Sequence, residues 1–378
     1  MGAAVRVLFA IPALDQGGPD RVLFELIRGL DRSRFAPSLL VSEPRGWYLD
    51  RLPSDVDVHV IGASMASLDR YPVVRALRVV HAVKPAIVLS TLRMNLTMGM
   101  ARPAFPRATR WILRQAADFS VDFARLQKQS VVKHRVARHL MVRAVNRADA
   151  IVCQSEAMRA DLATLVDRPR KLAVIGNPID VAAANGAVKN EIARWGEPSL
   201  VSVGRLLAAQ KGFDLLIAAI AKVRVHYPEV RLRIIGEGPD RAALERQCQA
   251  LGLANTVEFC GYQRDVLSTV SAADFFVLAS RCEGFSNATL EALALGVPVV
   301  LTNCPGANRE IVLPGVNGRL AAAIDAESVA AAVLQAIGER PHYNRDAIRT
   351  DTARRFGAAK IVLQYQSVFD QVIESSSR

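Results

Sequence analysis

Along the chain, short β-branched runs alternate with longer stretches whose apolar residues recur every three or four positions. That is the pattern of parallel strands joined by crossover helices. In the first half the runs fall at 5–11, 38–42, 56–62, 86–90, 110–113 and 150–155, with helical periodicity between them, for example at 20–30 and 72–83. The second half repeats the scheme at 199–204, 230–236, 257–261, 275–280 and 297–302, without a visible sequence repeat. At 174–180, VIGNPID takes a strand into an Asn-Pro turn, so two α/β domains are expected, 1–175 and 176–355. A helical stripe at 356–374, with Phe356, Ile361, Tyr365, Val368 and Phe369, needs a surface to cover, and the first domain is expected to provide it.

Composition agrees with this pattern. The 378 residues suit two domains of about 150–200 residues, each with its own core. With 51% hydrophobic residues and no low-complexity tract, disorder is excluded as the main state. No apolar run approaches the ~20 residues of a membrane span. The opening MGAAVRVLFAIPAL reads as a buried strand rather than a signal peptide, and Arg6 stands where a myristoylation site wants Ser or Thr. Cys153, Cys248, Cys260, Cys282 and Cys304 are scattered and form no CxxC, as expected of reduced thiols in a cytosolic protein.

Charge is unevenly placed. The formal net charge is +12, and residues 1–175 carry all of it, with 27 basic against 15 acidic groups. Within them, 101–147 holds 11 basic residues against Asp118 and Asp122. The second half is neutral, which points to two modules with different partners.

Candidate chemistry concentrates in the second half. VGRLLAAQKG (203–212) puts Arg205 at the end of a strand and Lys211 just before a helix expected to start near Phe213. Two cations flanking a strand-to-helix loop suit a diphosphate, although alone they read more readily as solvated charges. SRCEGFSNATLEALALGVPVV (280–300) places Glu283 in a loop and Glu291 eight residues later in a helix. Ser286 or Asn287 is expected to cap that helix, and Gly296 before Pro298 to end it. The amides of Gly284, Phe285 and Ser286 would then face an anion, with Glu283 free to accept from sugar hydroxyls. Glu291, in an apolar Ala-Leu-Ala-Leu run, is an odd neighbour unless it has a partner such as a ribose diol. In the first half, DQGGPDRVLFEL (15–26) follows the first strand. There Gly17 and Gly18 allow close backbone approach to a phosphate or sugar, with Pro19 or Asp20 opening a helix.

VGRL…QKG, IIGEGP (234–239), FCG (259–261) and EGFSNATLE…ALGVPVV together resemble the retaining GT-B glycosyltransferases of family 4, most strongly over 198–320. The resemblance implies two doubly wound, Rossmann-like domains facing a central cleft that closes on the substrates. It also implies transfer of a sugar from a nucleoside diphosphate donor to an acceptor hydroxyl, with no cofactor and no metal. On that pattern Arg205 and Lys211 stabilise the leaving diphosphate, Glu283 holds the transferred sugar and Glu291 binds the ribose. Gly204 belongs to the donor site; Gly236, Gly238 and Tyr262 wall the nucleoside; Gly284, Phe285, Ser286 and Asn287 contact phosphate and sugar; Gly17 and Gly18 match the first-domain GG loop. The sequence departs from the pattern where family members often carry a His near the cleft, since RWILRQAAD (110–118) offers Arg114 and Gln115 on the acceptor side.

Other signals lead elsewhere. Asp55-Val56-Asp57 has the form of a metal-binding DxD but lies in an alternating strand pattern, and none of the six histidines shows ligand spacing; His134 and His139 read as part of a basic face. AIPALDQGG lacks GxGxxG, which excludes a Rossmann oxidoreductase. A pI near 9.9 suggests nucleic acid, yet no recognition motif appears and only 6% of residues are aromatic. The basic stretch is read instead as a helix over 119–145. Its apolar positions (Phe119, Phe123, Leu126, Val132, Val136, Leu140, Ala144) alternate with Arg125, Lys128, Lys133, Arg135, Arg138 and Arg143, which suits an anionic bilayer face. The resulting expectation is a cytoplasmic enzyme, peripheral on the inner face of the membrane, acting on a lipid-linked glycan in surface polysaccharide synthesis. A UDP-sugar is the preferred donor and GDP-mannose the next. The alternatives are a nucleotide-sugar hydrolase or epimerase of the same fold, or a non-catalytic membrane-surface binding protein.

Overall fold

A computed structural model describes residues 4–15, 17–62, 72–116, 118–166, 171–190 and 192–375. The chain divides into two compact units, Met1–Pro178 with Ala358–Arg378, and Ile179–Gly357. The divisions lie three and two residues beyond the expected 175 and 355.

The first unit holds seven parallel strands: β1 (Val5–Ile11), β2 (Phe35–Val41), β3 (Asp57–Val60), β4 (Ile87–Thr91), β5 (Arg110–Arg114), β6 (Ala150–Cys153) and β7 (Lys171–Val174). Their order is β3-β2-β1-β4-β5-β6-β7. Every pair is parallel, so each connection crosses over a face and both faces are covered. Alternation along β1 shows the division: Val7, Phe9 and Ile11 enter one apolar layer, while Leu8 and Ala10 enter the other. The helix Ala358–Glu374 completes the first layer, burying Ile361, Val362, Tyr365, Val368, Phe369 and Val372 against it. Gly29 is small because of this helix, since a Cβ there would meet the Val362 side chain at 2.8 Å. Phe356, expected in the same stripe, belongs to the second unit instead, where its ring meets Phe285 edge-on at 5.6 Å.

The second unit holds β8 (Ser199–Val203), β9 (Arg231–Ile235), β10 (Val257–Gly261), β11 (Phe275–Leu278), β12 (Val299–Thr302) and β13 (Gly318–Ala321), ordered β10-β9-β8-β11-β12-β13. Strand β13, a four-residue GRLA segment, has too little alternation to be read from sequence. The β8 strand lies between β9 and β11, so the loops leaving β8 and β11 part to opposite faces. This topological switch point is where open α/β sheets form a ligand crevice at the carboxyl ends of strands.

Two expectations in the first unit change. The single helix over 119–145 is two helices, Phe119–Gln129 and Val131–Arg147, separated at Ser130, whose backbone is extended. The Ser130 side chain accepts from the Lys133 amide at 3.3 Å and so caps the second helix. His134, read as part of a basic face, instead sits half-buried between the helices, bonded to the Phe123 carbonyl at 3.0 Å with its ring edge-on to Phe123. The side chains of Arg125 and Lys128 lie outside the described residues. The DxD acids remain at the sheet edge, where Asp55 pairs with Arg32 at 2.5 Å and Asp57 is exposed. Among the described residues no group of His, Cys, Asp and Glu could hold a metal ion.

Candidate functional site

The β8 and β11 loops bring the two strongest sequence signals together. After β8 the chain passes Arg205, makes a short helix over Ala208–Lys211, turns at Gly212 and enters the helix Phe213–His226. Gly212 has φ +62°, and a Cβ there would lie 1.8 Å from the Ala279 carbonyl oxygen, so only glycine allows the two loops to touch. Across this contact Lys211 Nζ donates to Glu283 Oε1 at 2.5 Å. The Ser280 hydroxyl donates to the same oxygen at 2.9 Å. The sequence leads one to expect a free Glu283, but one carboxylate oxygen is occupied, and only Oε2 has no partner among the described residues. The pair is largely withdrawn from water, with the lysine side chain 19% and the glutamate 7% exposed. A second ion pair fastens the loops behind it, with Arg281 donating to both Asp214 oxygens at 2.7 Å and to the Ala208 carbonyl at 2.7 Å.

The backbone of Glu283 is fixed by the segment after β12. Its amide donates to the Pro305 carbonyl at 3.1 Å, and the Ala307 amide donates to the Gly284 carbonyl at 3.0 Å. Gly306 (φ +114°) permits this, as a Cβ there would overlap the Glu283 carbonyl oxygen at 1.4 Å. Cys304 lies beside the site, and burial, with the Glu283 charge adding to it, pushes its thiol up to about 12. The helix Asn287–Ala294 begins with Ser286 as its cap, accepting from the Thr289 amide at 3.2 Å. Gly296 ends it in the left-handed region. Phe285 turns its ring into the core, so only its backbone is available to a ligand. Glu291 is half-buried on the second turn of the same helix.

Arg205 is exposed, and its side chain pairs with no acid among the described residues. Its position is set from β9. Gly204 donates to the Ile235 carbonyl at 3.0 Å, and Leu206 donates to the Glu237 carbonyl at 2.9 Å. Cβ atoms at Gly236 and Gly238 would lie 2.0 Å from the Gly204 oxygen and 2.3 Å from the Leu206 oxygen. These glycines therefore allow the strand exits to approach each other. Gly204 itself faces the Lys211 stem, 3.7 Å from where its Cβ would be. Tyr262 follows the edge strand β10 and is exposed.

In the first unit, Gly17 caps the helix Gly18–Gly29, one residue ahead of the expected Pro19 or Asp20 start. The Gly17 amide donates to Asp20 at 3.0 Å, and a Cβ at Gly17 would come within 2.7 Å of that carboxylate. Burial pushes the Asp20 carboxyl up, against this bond. Arg114 and Gln115, read as acceptor-side groups, are fully buried. Arg114 donates to the Tyr365 hydroxyl at 3.1 Å, to Thr91 at 3.4 Å and to Asn177 at 2.9 Å. Gln115 accepts from the Cys153 thiol at 3.4 Å. The arginine thus fastens the terminal helix to the ends of β4 and β5.

Ser280, Arg281, Asp214, Gly212 and Gly306 support this site and escaped sequence reading. Arg281 and Asp214 had a trace there, an acid in the first turn of a helix and a base three residues before a strand-exit glycine. Neither signal identifies its partner without the β8–β11 adjacency.

A seven-stranded and a six-stranded parallel sheet, the latter with a Lys–Glu pair at its switch point, define a protein of the GT-B glycosyltransferase fold. A solved structure of Anabaena Alr3699/HepE in complex with UDP superposes with a TM-score of 0.76 at 20% identity, covering 97% of this chain and 100% of that one. Family models for "Glycosyltransferase Family 4" and "Glycosyl transferases group 1" match residues 16–183 and 197–339. The chain belongs to this family of group 1, family 4 glycosyltransferases. It is 34% identical over 158 residues to the lipopolysaccharide core biosynthesis glycosyltransferase LpsE of Rhizobium meliloti, covering 42% of this chain and 43% of that protein. It is also 29% identical over 220 residues, 58% of each chain, to a Campylobacter jejuni enzyme. That relative is the N-acetylgalactosamine-N,N'-diacetylbacillosaminyl-diphospho-undecaprenol 4-alpha-N-acetylgalactosaminyltransferase. The match thus spans about half the length of these curated relatives.

Proposed function

We propose that the protein transfers a sugar, with retained anomeric configuration, from a nucleoside diphosphate donor to a hydroxyl of a lipid-linked glycan in surface polysaccharide assembly. The observation that carries this reading is the Lys211–Glu283 pair beside exposed Arg205 at the second sheet's switch point. Arg205 and Lys211 carry the charge that develops on the departing diphosphate, a role that needs no metal ion. Lys211 has three N–H donors and uses one on Glu283, so it can hold the carboxylate and a phosphate oxygen together. Glu283 Oε2 accepts from the transferred sugar, Glu291 from the ribose, and the departing phosphate oxygen takes the acceptor's proton on the same face. Gly284, Ser286 and Asn287 present the loop and helix start to phosphate and sugar. Gly236, Gly238 and Tyr262 border the nucleoside.

UDP is the preferred nucleotide, supported by the solved HepE complexes with UDP and with UDP-glucose. The LpsE and Campylobacter relatives support a glycan acceptor, in the second case one on a polyprenyl diphosphate. Among the described residues no helix is long and apolar enough to cross a membrane. Contact with an anionic bilayer is assigned to the start of Val131–Arg147, where exposed Val131, Val132 and Val136 stand beside exposed Lys133, Arg135 and Arg138. In a turnover assay with labelled nucleotide sugar, Lys211→Ala and Arg205→Ala should each lower kcat by about 100-fold or more with a smaller change in donor KM. An unchanged kcat removes both from the chemistry.

A further inference from the structure

The second unit has another concave site, on the edge of its sheet opposite the Lys211–Glu283 pair. It is a cavity of about 700 Å³ bordered by Asp274 and Pro298, which lie just ahead of β11 and β12 at the amino ends of the strands. Four of its lining residues are cations (Lys189, Arg194, Arg340 and Arg345), and Asp274 is the acid among them. That acid is already committed. Its carboxylate, 2% exposed, pairs with Arg194 and, at 3.1 Å, with Arg340. It also accepts from the Ser199 amide at 2.9 Å and the Ser199 hydroxyl at 3.1 Å. Glu197, outside the lining, pairs again with Arg340 and, at 3.5 Å, with Arg194. Two acids thus answer two arginines, and Lys189 lies near Asp265, whose carboxyl its charge helps hold down, so among the described residues Arg345 is the cation left without an acid of its own.

Arg345 is the most telling of the four. Its guanidinium donates to the carbonyls of Ser271 at 2.7 Å and Ala273 at 2.5 Å, and forms no salt bridge among the described residues. Burial pushes its pKa down, with Asp274 opposing this and Arg349, Arg194 and Arg340 adding to it. Lys189 is exposed at the rim on a segment anchored through its own amide to the Ser268 hydroxyl at 3.0 Å. It too has no salt bridge among the described residues; Glu191, on the same segment, lies outside them. A half-buried guanidinium beside other cations is stabilised by an incoming anion, and arginine favours planar, bidentate contact with phosphate. The volume falls in the usual range for small-molecule sites, roughly 300–1,000 Å³.

We propose that this cavity binds a small organic phosphate with two or more negative charges, recognised by Arg345 and Lys189, at a site separate from the Lys211–Glu283 pair. Calorimetric titration of the full chain carrying Lys211→Ala with inorganic pyrophosphate tests it, since that substitution weakens phosphate binding at the other site alone. Saturable binding is expected to persist there. Adding Arg345→Gln or Lys189→Glu should weaken it about tenfold or more. Because Arg345 also holds the end of a helix, folding is checked by circular dichroism. Lys189→Glu touches no buried bond and decides the matter if Arg345→Gln unfolds. Loss of all pyrophosphate binding in Lys211→Ala alone, or binding indifferent to Lys189→Glu in folded protein, overturns the proposal.

Discussion

At the scale of single residues, the candidate site depends on a lysine and a glutamate that satisfy each other before any substrate arrives. Removing either leaves a charge in a poorly solvated place, so Glu283→Ala should cost stability as well as activity, up to about 3 kcal/mol, whereas Glu283→Gln should cost less. Denaturant melts of the two variants check this. Gly212→Ala tests the loop contact without altering any charge. Its Cβ would meet Ala279 O at 1.8 Å with φ at +62°, and we expect a loss of at least about 2 kcal/mol. Spacing along the chain singled out Arg205, Lys211, Glu283 and Glu291 as candidates, because each stands beside a glycine loop or in an apolar run. It could not reveal that Glu283 is half occupied, or that Arg114 is buried, since both depend on contacts between distant strands. Burial also pushes the Cys153 and Cys304 thiols up to about 12. Neither should be alkylated by iodoacetamide at pH 8 in folded protein, and both should react after unfolding; mass spectrometry distinguishes the two cases.

At the scale of elements, the strands were legible because parallel sheets demand continuous apolar runs, and errors fell where the pattern is short or broken. Strand β13 is four residues long, and a serine cap divides what periodicity alone reads as one basic helix. That division exposes three valines beside the cations at the start of Val131–Arg147. At about 1 kcal/mol per basic residue, the triple change Lys133→Glu, Arg135→Glu, Arg138→Glu should reduce pelleting with anionic vesicles at low salt by about 100-fold. Pelleting equal to wild type, or equal with neutral vesicles, ends the membrane reading. Between the loops of the second unit, burial raises the Asp214 carboxyl but the hydrogen bonds and charge of Arg281 outweigh it and hold the group below the usual carboxylate range. The sign follows: a depressed carboxylate stabilises the fold above its unfolded pKa and loses that contribution as pH falls through its folded pKa. Asp214→Asn should therefore lower Tm at pH 7 and leave a shallower decline below pH 4, near the reference value of 3.8.

At the scale of the molecule, the +12 net charge separates into a basic first half and a neutral second half. This division parallels the two sheets and the division of labour proposed for them. The fold class was open to reading from alternation alone, and the family from a handful of loop residues, because both are written in local pattern. The nucleotide and the acceptor are not, since neither base nor glycan is recognised by residues with a fixed spacing. The central claim is that the second unit holds a nucleoside diphosphate by its phosphates at Arg205 and Lys211. Calorimetric titration of UDP and GDP into wild type and into Lys211→Ala tests it most directly. We predict saturable binding of one nucleotide, weakened about tenfold or more by the substitution. Binding of neither, or an affinity that the substitution leaves unchanged, would contradict the account.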